Sequence, residues 1–181
     1  APTLRALQKM KRSEDLPFAN LLAPASSENW DQVTQVHPPA YALKPGFKFD
    51  LSCLMTDATE LHLRPGQAFD METFKEKSIL DPAQAVGLVN TLQHQIGLIQ
   101  GPPGTGKSYT GVALIKVLLA NAAKAKANIG PIICVCYTNH ALDQLLEELL
   151  ERKITTQIVR IGSRCKSERV EQHTLSKLVH K

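Results

Sequence analysis

The stretch "LIQGPPGTGKSYTG", residues 98–111 of a 181-residue chain, decides the fold. Gly101, Gly106, Lys107 and Ser108 fill the pattern G-x-x-x-x-G-K-[ST]. The glycines let the backbone curl until successive N–H groups point at phosphate oxygens, and the helix that follows adds its positive N-terminal end. In this pattern the lysine reaches the β- and γ-phosphates and the hydroxyl binds Mg²⁺. The predicted nucleotide-binding residues are Gly101, Pro102, Pro103, Gly104, Thr105, Gly106, Lys107, Ser108 and Tyr109.

A glycine-rich turn can match this pattern by chance, so the segments on either side of it matter. "IGLIQ", residues 96–100, has the composition of a short buried strand, and "KSYTGVALIKVLLANAAKA" after the loop predicts a helix that is apolar on nearly all sides. The strand and helix that the pattern requires are therefore both indicated. We predict binding of ATP or GTP with Mg²⁺, with Lys107 and Ser108 as the catalytic residues and Ser108 as the metal ligand.

Strands and helices alternate along residues 79–181. "DPAQAVGLVNTLQ" predicts a helix with Asp81 as N-cap and Pro82 at its first position. "PIICVCY", residues 131–137, is a continuous apolar run typical of a strand buried on both faces, and "TQIVRI" predicts a third strand. Between them, "ALDQLLEELLERK" carries leucines at helical spacing. This order predicts an α/β fold in which an open parallel sheet has helices on its faces.

The part of the chain before residue 79 is less regular, and we predict that residues 1–78 form a small α+β accessory segment. "TLRALQKMKR" has helical spacing at Leu4, Leu7 and Met10, and a loop-rich stretch containing several prolines follows it. "FKFDLSCLM", residues 47–55, then predicts a strand. No motif in this segment indicates a function.

The net charge of +4 is distributed unevenly. Residues 1–100 hold 9 Lys/Arg and 11 Asp/Glu, whereas residues 101–181 hold 12 and 6. Most of the positive excess lies in residues 152–181, where 8 basic residues accompany 2 acidic ones. Such an excess suits a polyanionic partner, although solvated helix faces often give the same local charge. Charge therefore favours nucleic-acid binding without deciding it.

Composition and cysteine usage argue against several classes of protein. The chain is 43% hydrophobic, has no run of 18 apolar residues, and begins with residues too polar for a signal peptide. Its four cysteines form no C-x-x-C pair, so neither a disulfide framework nor a zinc cluster is predicted. We expect an intracellular protein, in the nucleus or cytoplasm, that does not bind membranes.

A second candidate site follows "PIICVCY". Thr138, Asn139 and His140 come at the carboxyl end of that predicted strand, the edge where ligands bind in open α/β sheets. Their side chains and the free N–H groups of the next helix can donate to phosphate or sugar oxygens. Thr138 or Asn139 can also be only the N-cap of that helix, and the residues by themselves favour this simpler interpretation.

Phosphoryl transfer needs further residues beyond the loop. An acidic side chain on a second strand holds the Mg²⁺, and an arginine commonly stabilises the transition state. Neither "PIICVCY" nor "TQIVRI" ends in Asp or Glu. Arg160 and Arg164 can approach the phosphates in principle, but nothing in their spacing assigns them to it.

A family resemblance is carried by "LDPAQAVGLVNTLQHQIGLIQGPPGTGKS", followed by "PIICVCYTNHALDQLLEELL" and "IVRIGSR". Together these segments resemble the first motor domain of superfamily 1 helicases of the up-frameshift type. "CYTNHALDQ", with "PPAY" and "FDLSCL" upstream, is similar more narrowly to NFX-type zinc-finger-containing helicases. The resemblance covers about residues 38–165. It implies a RecA-like P-loop NTPase domain, present as motifs Q, I, Ia and Ib, of an ATP-dependent helicase that acts on single-stranded RNA in surveillance, small-RNA silencing or antiviral defence.

The resemblance also implies roles for individual residues. In that family a glutamine before the phosphate loop recognises adenine, and Gln84 stands at the matching position, which implies ATP rather than GTP. Motif Ia, which contacts the backbone of a single strand, corresponds to Thr138 and Asn139, with His140 beside them. "IVRIGSR" occupies the place of motif Ib, so Ser163 and Arg164 are implied as phosphate contacts.

The chain departs from the family in lacking the Asp-Glu motif II, the coupling motif III, the second motor domain and the zinc fingers. We therefore expect a fragment or truncated product whose sheet is incomplete, which binds nucleotide weakly and does not turn it over. Three alternatives stay open. The first is a nucleotide-gated nucleic-acid-binding module, which needs no catalysis. The second is a ring-forming ATPase, which also uses "GPPGTGK" but needs an acidic strand end where this chain has "QIVRIGS". The third is a DNA helicase, which would make the same backbone contacts because they do not distinguish a 2′-hydroxyl.

Overall fold

The computed structural model describes residues 2–13, 18, 37–57, 59–124 and 129–179. The chain divides into two units, Ala1–His37 and Pro38–Lys181. In the first unit, helix α1 spans Pro2–Ser13, which confirms the helix that the spacing of Leu4 and Leu7 predicts. Both leucines are exposed. Most of the loop-rich stretch predicted after α1 lies outside the described residues.

Within its described residues, the larger unit has two short strands and six α-helices. They are β1 (Phe49–Asp50), β2 (His62–Leu63), α2 (Met71–Lys77), α3 (Pro82–Gln93), α4 (Lys107–Lys124), α5 (Asn139–Glu151), α6 (Glu168–Glu171) and α7 (Leu175–Val179). The two strands pair antiparallel. Among the helices of both units as far as they are described, none combines the length and apolarity needed to cross a membrane.

The strand predicted over residues 47–55 is wrong beyond Phe49–Asp50. The Asp50 carboxylate accepts the Ser52 backbone N–H at 2.9 Å, a local contact that competes with strand pairing. A 3-10 helix at Ser52–Leu54 follows directly. The apolar pattern of residues 47–55 does not predict this turn, because the turn depends on a single acceptor, the Asp50 carboxylate.

Helix α3 begins as its sequence predicts. Asp81 is the N-cap, and its carboxylate accepts the Gln84 backbone N–H at 2.9 Å. The Gln84 side-chain oxygen accepts the Asp81 backbone N–H at 3.3 Å in return, and Pro82 occupies the first helical position. This reciprocal capping box satisfies two backbone donors that the helix itself leaves free. It also fixes the position of Gln84.

Helix α4 is shared between two hydrophobic clusters, as a helix that is apolar on nearly all sides requires. Ala113 and Val117 belong to the first cluster, with residues of the β1–β2 region, α2 and α3. Val112 and Ile115 belong to the second, with residues of α5 and with Ile158. The first cluster contains residues from both sides of position 78, so the boundary predicted there stays a prediction.

The three segments predicted as parallel strands are not paired with one another in the part of the chain that the structure describes. In "PIICVCY", Ile132 and Cys134 pack against the second cluster, whereas Ile133 and Val135 are 83% and 87% exposed. Burial, together with the neighbouring Cys136, raises the pKa of the Cys134 thiol at this packed face. The prediction of burial on both faces is therefore wrong here, because the helices cover one face only. An apolar run specifies a strand's faces but not the neighbour its backbone pairs with.

Candidate nucleotide and nucleic-acid sites

The phosphate loop owes its shape to glycines. Gly104 and Gly106 have φ angles of 83° and 74°, in the left-handed region that side chains disfavour. A Cβ on Gly101 would lie 2.8 Å from Thr105 Oγ1, and a Cβ on Gly106 would collide with Gln84 Nε2. The loop ends at the first turn of α4, whose backbone N–H groups have no acceptor within the helix. A curl of this shape, ending on a helix N-terminus, fits phosphate oxygens.

The Lys107 ammonium lies over this loop. Its Nζ donates to the carbonyl oxygens of Gly101 at 2.8 Å and Pro102 at 2.7 Å. Thr105 Oγ1 donates to the same Pro102 carbonyl at 2.9 Å, which closes the curl. Because both acceptors of the ammonium are neutral, its full positive charge is available to an anionic ligand. The residues present therefore fit a bound nucleotide phosphate.

The remaining predicted loop residues divide into two groups. Ser108 is exposed as the second residue of α4. Tyr109 instead packs between other elements: its hydroxyl donates to the Ile79 carbonyl at 3.4 Å, and the Arg152 guanidinium lies 4.7 Å from its ring centroid. The structure thus brings residues 101–108 together and turns Tyr109 towards Arg152 at the end of α5. Pro102, Pro103, Gly104 and Thr105 are exposed.

Gln84 contacts the phosphate loop directly. Its Nε2 donates to the Thr105 carbonyl at 3.4 Å, while its Oε1 accepts the Asp81 N–H of the capping box. A side-chain amide has two N–H donors and two oxygen lone pairs, so each end of the amide keeps one further hydrogen-bonding position. The structure therefore places Gln84 beside the loop with capacity to bind a base edge.

Thr138 is the N-cap of α5. Its Oγ1 accepts the Ala141 backbone N–H at 3.1 Å, so the simpler interpretation of this residue is observed. A hydroxyl that accepts in this way keeps its own O–H donor. Asn139 and His140 follow as the first helical residues, and both are exposed. The three predicted side chains meet at one helix N-terminus.

Arg160 is buried, which corrects the expectation that it can approach the phosphates. Its Nε donates to Asp143 Oδ1 at 2.9 Å, and its Nη1 donates to the carbonyls of Gly162 at 2.8 Å and Ser163 at 3.1 Å. Its Nη2 donates to Asn139 Oδ1 at 3.3 Å. One guanidinium thus joins Asn139 at the start of α5 to Gly162 and Ser163, and we call residues 138–140 and 162–166 together the strand-end edge.

Asp143 completes the support of this edge from α5. Its Oδ2 accepts the Lys166 backbone N–H at 3.2 Å, and the Cys165 thiol lies 3.8 Å from its Oδ1. Arg164, which follows Ser163 in the chain, is exposed. Its φ of 54° is uncommon for a residue other than glycine. The sequence analysis missed Asp143, although a carboxylate among the leucines of an amphipathic helix signals a buried charge that needs a partner.

Several basic side chains of residues 152–181 form salt bridges with acidic side chains of the same chain. The exposed pairs are Arg152 with Glu148 at 2.9 Å, Arg169 with Glu151 at 2.6 Å and Lys177 with Glu171 at 3.7 Å. Pairs of this kind contribute little stability, but they lower the local positive potential. Arg164 and Lys166 are exposed within the strand-end edge, so the basic surface there is local.

Comparison with known proteins finds relatives among helicases. The family model described as an AAA domain matches residues 80–181. Over 98% of its length the chain is 36% identical to the NFX1-type zinc finger-containing protein 1 of Mus musculus, of which it covers 10%. It is 38% identical, over 54% of its length, to the helicase required for RNAi-mediated heterochromatin assembly 1 of Schizosaccharomyces pombe, of which it covers 9%. It is 27% identical, over 49% of its length, to the ATP-dependent helicase upf1 of the same organism, again covering 9%.

These matches confirm the resemblance to up-frameshift-type and NFX-type proteins that the motifs carry. The chain spans about a tenth of the length of the curated relatives it matches. No solved structure matches it.

Proposed function

The chain belongs to the AAA domain family and is related to Upf1-like superfamily 1 helicases, and from this premise we propose that it is the ATP-binding portion of an ATP-dependent helicase acting on single-stranded RNA. The family implies a P-loop NTPase fold and nucleotide binding. The observation that carries the proposal is the curl of residues 101–106 around the Lys107 ammonium, with the Gln84 amide against it.

In this proposal the nucleotide is ATP, held at both ends. The backbone N–H groups of residues 101–106 and the Lys107 ammonium bind the phosphates. The Gln84 amide, fixed by the capping box, reads the adenine edge through its free donor and acceptor positions. The Ser108 hydroxyl, exposed at the start of α4, is the protein ligand proposed for Mg²⁺. When bound, Mg²⁺ would neutralise charge on the phosphate oxygens.

The proposed RNA contacts lie on the strand-end edge. The Thr138 hydroxyl and the N–H groups of α5 can donate to phosphate or sugar oxygens, as can Asn139 and His140. Ser163 and the exposed Arg164 and Lys166 form the second half of the edge. Support for RNA rather than DNA comes from the S. pombe relative whose name refers to RNAi. DNA is the alternative that the test below separates, because backbone contacts alone do not read a 2′-hydroxyl.

We also propose that residues 96–100, 131–137 and 156–161 are strands of a RecA-like parallel sheet in the complete domain. In support, "PIICVCY" packs one face on the helices and exposes the other, and each segment leads into a candidate binding loop. Binding loops gather at the carboxyl ends of parallel strands. Backbone pairing partners for these segments would come from elsewhere in the parent protein.

A second candidate function is a nucleotide-gated nucleic-acid-binding module that does not hydrolyse ATP. The observation that favours it for this chain is that neither residues 131–137 nor residues 156–161 end in a carboxylate. Phosphoryl transfer needs such a group to hold the Mg²⁺ and orient water. We therefore expect residues 1–181 to bind ATP and single-stranded RNA without turnover.

One set of measurements tests these proposals. A fluorescent ATP analogue is titrated into the protein with GTP as competitor, and labelled single-stranded RNA and DNA of one sequence are titrated with and without ATP. We expect ATP to displace the analogue better than GTP, and RNA to bind better than DNA. Turnover of ATP stimulated by RNA in residues 1–181 would contradict the incomplete site, and equal RNA and DNA affinity would favour the DNA alternative.

A further inference from the structure

Arg160 is fixed at both its side chain and its backbone. Its side chain is fully buried, and the side chain of Asp143 is 6% exposed. All three guanidinium nitrogens donate, to Asp143, to the Gly162 and Ser163 carbonyls, and to Asn139. The Arg160 backbone forms a parallel bridge at Thr174. The backbone bridge therefore fixes the point from which the guanidinium extends into the strand-end edge.

The contact with Asn139 determines which end of that amide faces solvent. A guanidinium has donors only, so the Asn139 atom that faces it must be the acceptor Oδ1. The Nδ2 amino group then lies on the other side of the amide, and Asn139 is exposed. An outward N–H₂ donor suits a phosphate or sugar oxygen, whereas an outward carbonyl would repel it.

Gly162 makes this arrangement sterically feasible. A Cβ at this position would lie 3.3 Å from Asn139 Oδ1, which is tighter than ordinary contact, and 3.5 Å from Arg160 Nη1, which is an ordinary contact distance. Its φ of 131° is one that side chains rarely adopt. The backbone of the second loop can therefore approach the amide and the guanidinium together.

We propose that Arg160 is a positioning residue for nucleic-acid binding, which holds the two segments of the strand-end edge in one geometry and turns the Asn139 N–H₂ outward as a phosphate donor. Arg160 touches no ligand itself and acts through Asn139 and the Gly162–Ser163 carbonyls. The inference deepens the proposed RNA contact and rests on it.

The first test replaces the donor and keeps the acceptor. Asn139→Asp still accepts from Arg160, and an acid in the first turn suits the helix N-terminus, so the melting temperature should not fall. Its affinity for single-stranded RNA should fall by about tenfold, because the outward donor becomes an acceptor. Gln144→Glu, at an exposed position of α5, is the control for added charge, and its smaller loss should vanish as salt rises. Full RNA affinity in Asn139→Asp would overturn the proposal.

The second test asks whether Arg160 acts through Asn139. Arg160→Lys keeps a charge beside Asp143 but cannot reach three loop acceptors at once. Its loss of RNA affinity should be largely absent when Asn139→Ala is already present, whereas additive losses would indicate a general structural role and overturn the inference. If Arg160→Lys does not fold, the Asn139 variants still decide the donor orientation.

Side-chain amide NMR separates failure of this inference from failure of the proposed function. In the unmodified chain without RNA, Asn139 should give one sharp pair of Nδ2 proton signals that shifts in Arg160→Lys. Unshifted signals would refute the positioning role even if RNA binds. If the signals shift but the chain does not bind RNA, the result would support the claim that Arg160 positions the Asn139 amide. It would refute the proposed function and the claim that this amide binds RNA.

Discussion

The phosphate loop and the strand-end edge are the two proposed anion-binding surfaces, both at helix N-termini, but they are held by different forces. Glycine backbone angles and neutral carbonyls shape residues 101–106, and the acceptors of the Lys107 ammonium among the described residues are carbonyl oxygens rather than carboxylates. The strand-end edge depends instead on one buried ion pair, Arg160 with Asp143. The first surface therefore keeps its charge for the ligand, whereas the second uses a charge internally to orient neutral donors.

This comparison leads to opposite expectations for mutation. Removing the phosphate-loop charge should cost binding and leave the fold intact. Removing one charge of the buried pair should cost stability first, because its partner stays buried without compensation. The predictions below test that contrast.

The largest expected effect is on stability, at Asp143. Asp143→Ala leaves the Arg160 guanidinium buried and removes the acceptor of the Lys166 N–H, and we expect a loss of about 3–5 kcal/mol in the free energy of unfolding. Urea denaturation measures it. Glu148→Ala, which breaks the exposed pair with Arg152, is the matched control and should cost less than about 1 kcal/mol. Equal losses in the two variants would show that the buried pair stabilises the chain no more than an exposed pair does, and would contradict its role in holding the strand-end edge.

The next effect is on nucleotide affinity, at Lys107. Lys107→Ala removes the ammonium that lies over the loop, and we expect ATP binding to be abolished within the range of an isothermal titration. One charged hydrogen bond between the ammonium and a phosphate oxygen contributes about 1.5–3 kcal/mol, which accounts for at least a tenfold loss of affinity. Because the ammonium reaches both the β- and the γ-phosphate, loss of the second hydrogen bond adds to this effect. Lys116→Ala, further along α4, should bind ATP normally and should melt at the same temperature as Lys107→Ala. Retained ATP affinity in Lys107→Ala would refute the role given to the ammonium.

The same contrast explains what the sequence could predict. The phosphate loop, the α3 cap and the three longest helices of the larger unit follow from local patterns, because glycine positions, Asp81-Pro82 and leucine spacing act within a few residues. The strand-end edge depends on Arg160 meeting Asp143 across 17 positions of chain, and no local pattern contains that contact. The family resemblance names Thr138 and Asn139 in one motif and Ser163 and Arg164 in another, and their nucleic-acid contacts stay predictions. Sequence reasoning missed the buried contact between Arg160 and Asp143, which links the two segments. The predicted pairing of the three strand segments, which the described residues do not show, fails for the same reason, since a strand's own residues do not specify its neighbour.

Gln84 sits between the two kinds of support, because it both caps α3 and contacts the phosphate loop. Gln84→Glu keeps the capping box and loses only the long 3.4 Å hydrogen bond to the Thr105 carbonyl, so the melting temperature should fall little. It loses the amide donor to the adenine edge, and we expect ATP affinity to fall about tenfold, near the upper limit for one neutral hydrogen bond. Added negative charge weakens ATP and GTP alike, so the measurement is the ratio of the two affinities by competition. An unchanged ratio of ATP to GTP affinity would show that Gln84 does not recognise adenine, and its role would then be to cap α3.

Thr138 tests whether an N-cap on the strand-end edge also serves the ligand. Thr138→Ala loses the hydrogen bond to the Ala141 N–H and should destabilise the chain by about 1 kcal/mol. Thr138→Asp restores a capping acceptor, so its stability should return to that of the unmodified chain, but it replaces the O–H donor with a negative charge. If the hydroxyl contacts phosphate, RNA affinity measured by fluorescence anisotropy falls in both variants while stability falls in only one. If Thr138 only caps the helix, the affinity of Thr138→Asp drops no further than that of the charge control Gln144→Glu. The strand-end edge would then bind RNA through Asn139 and the loop of Ser163 without this hydroxyl.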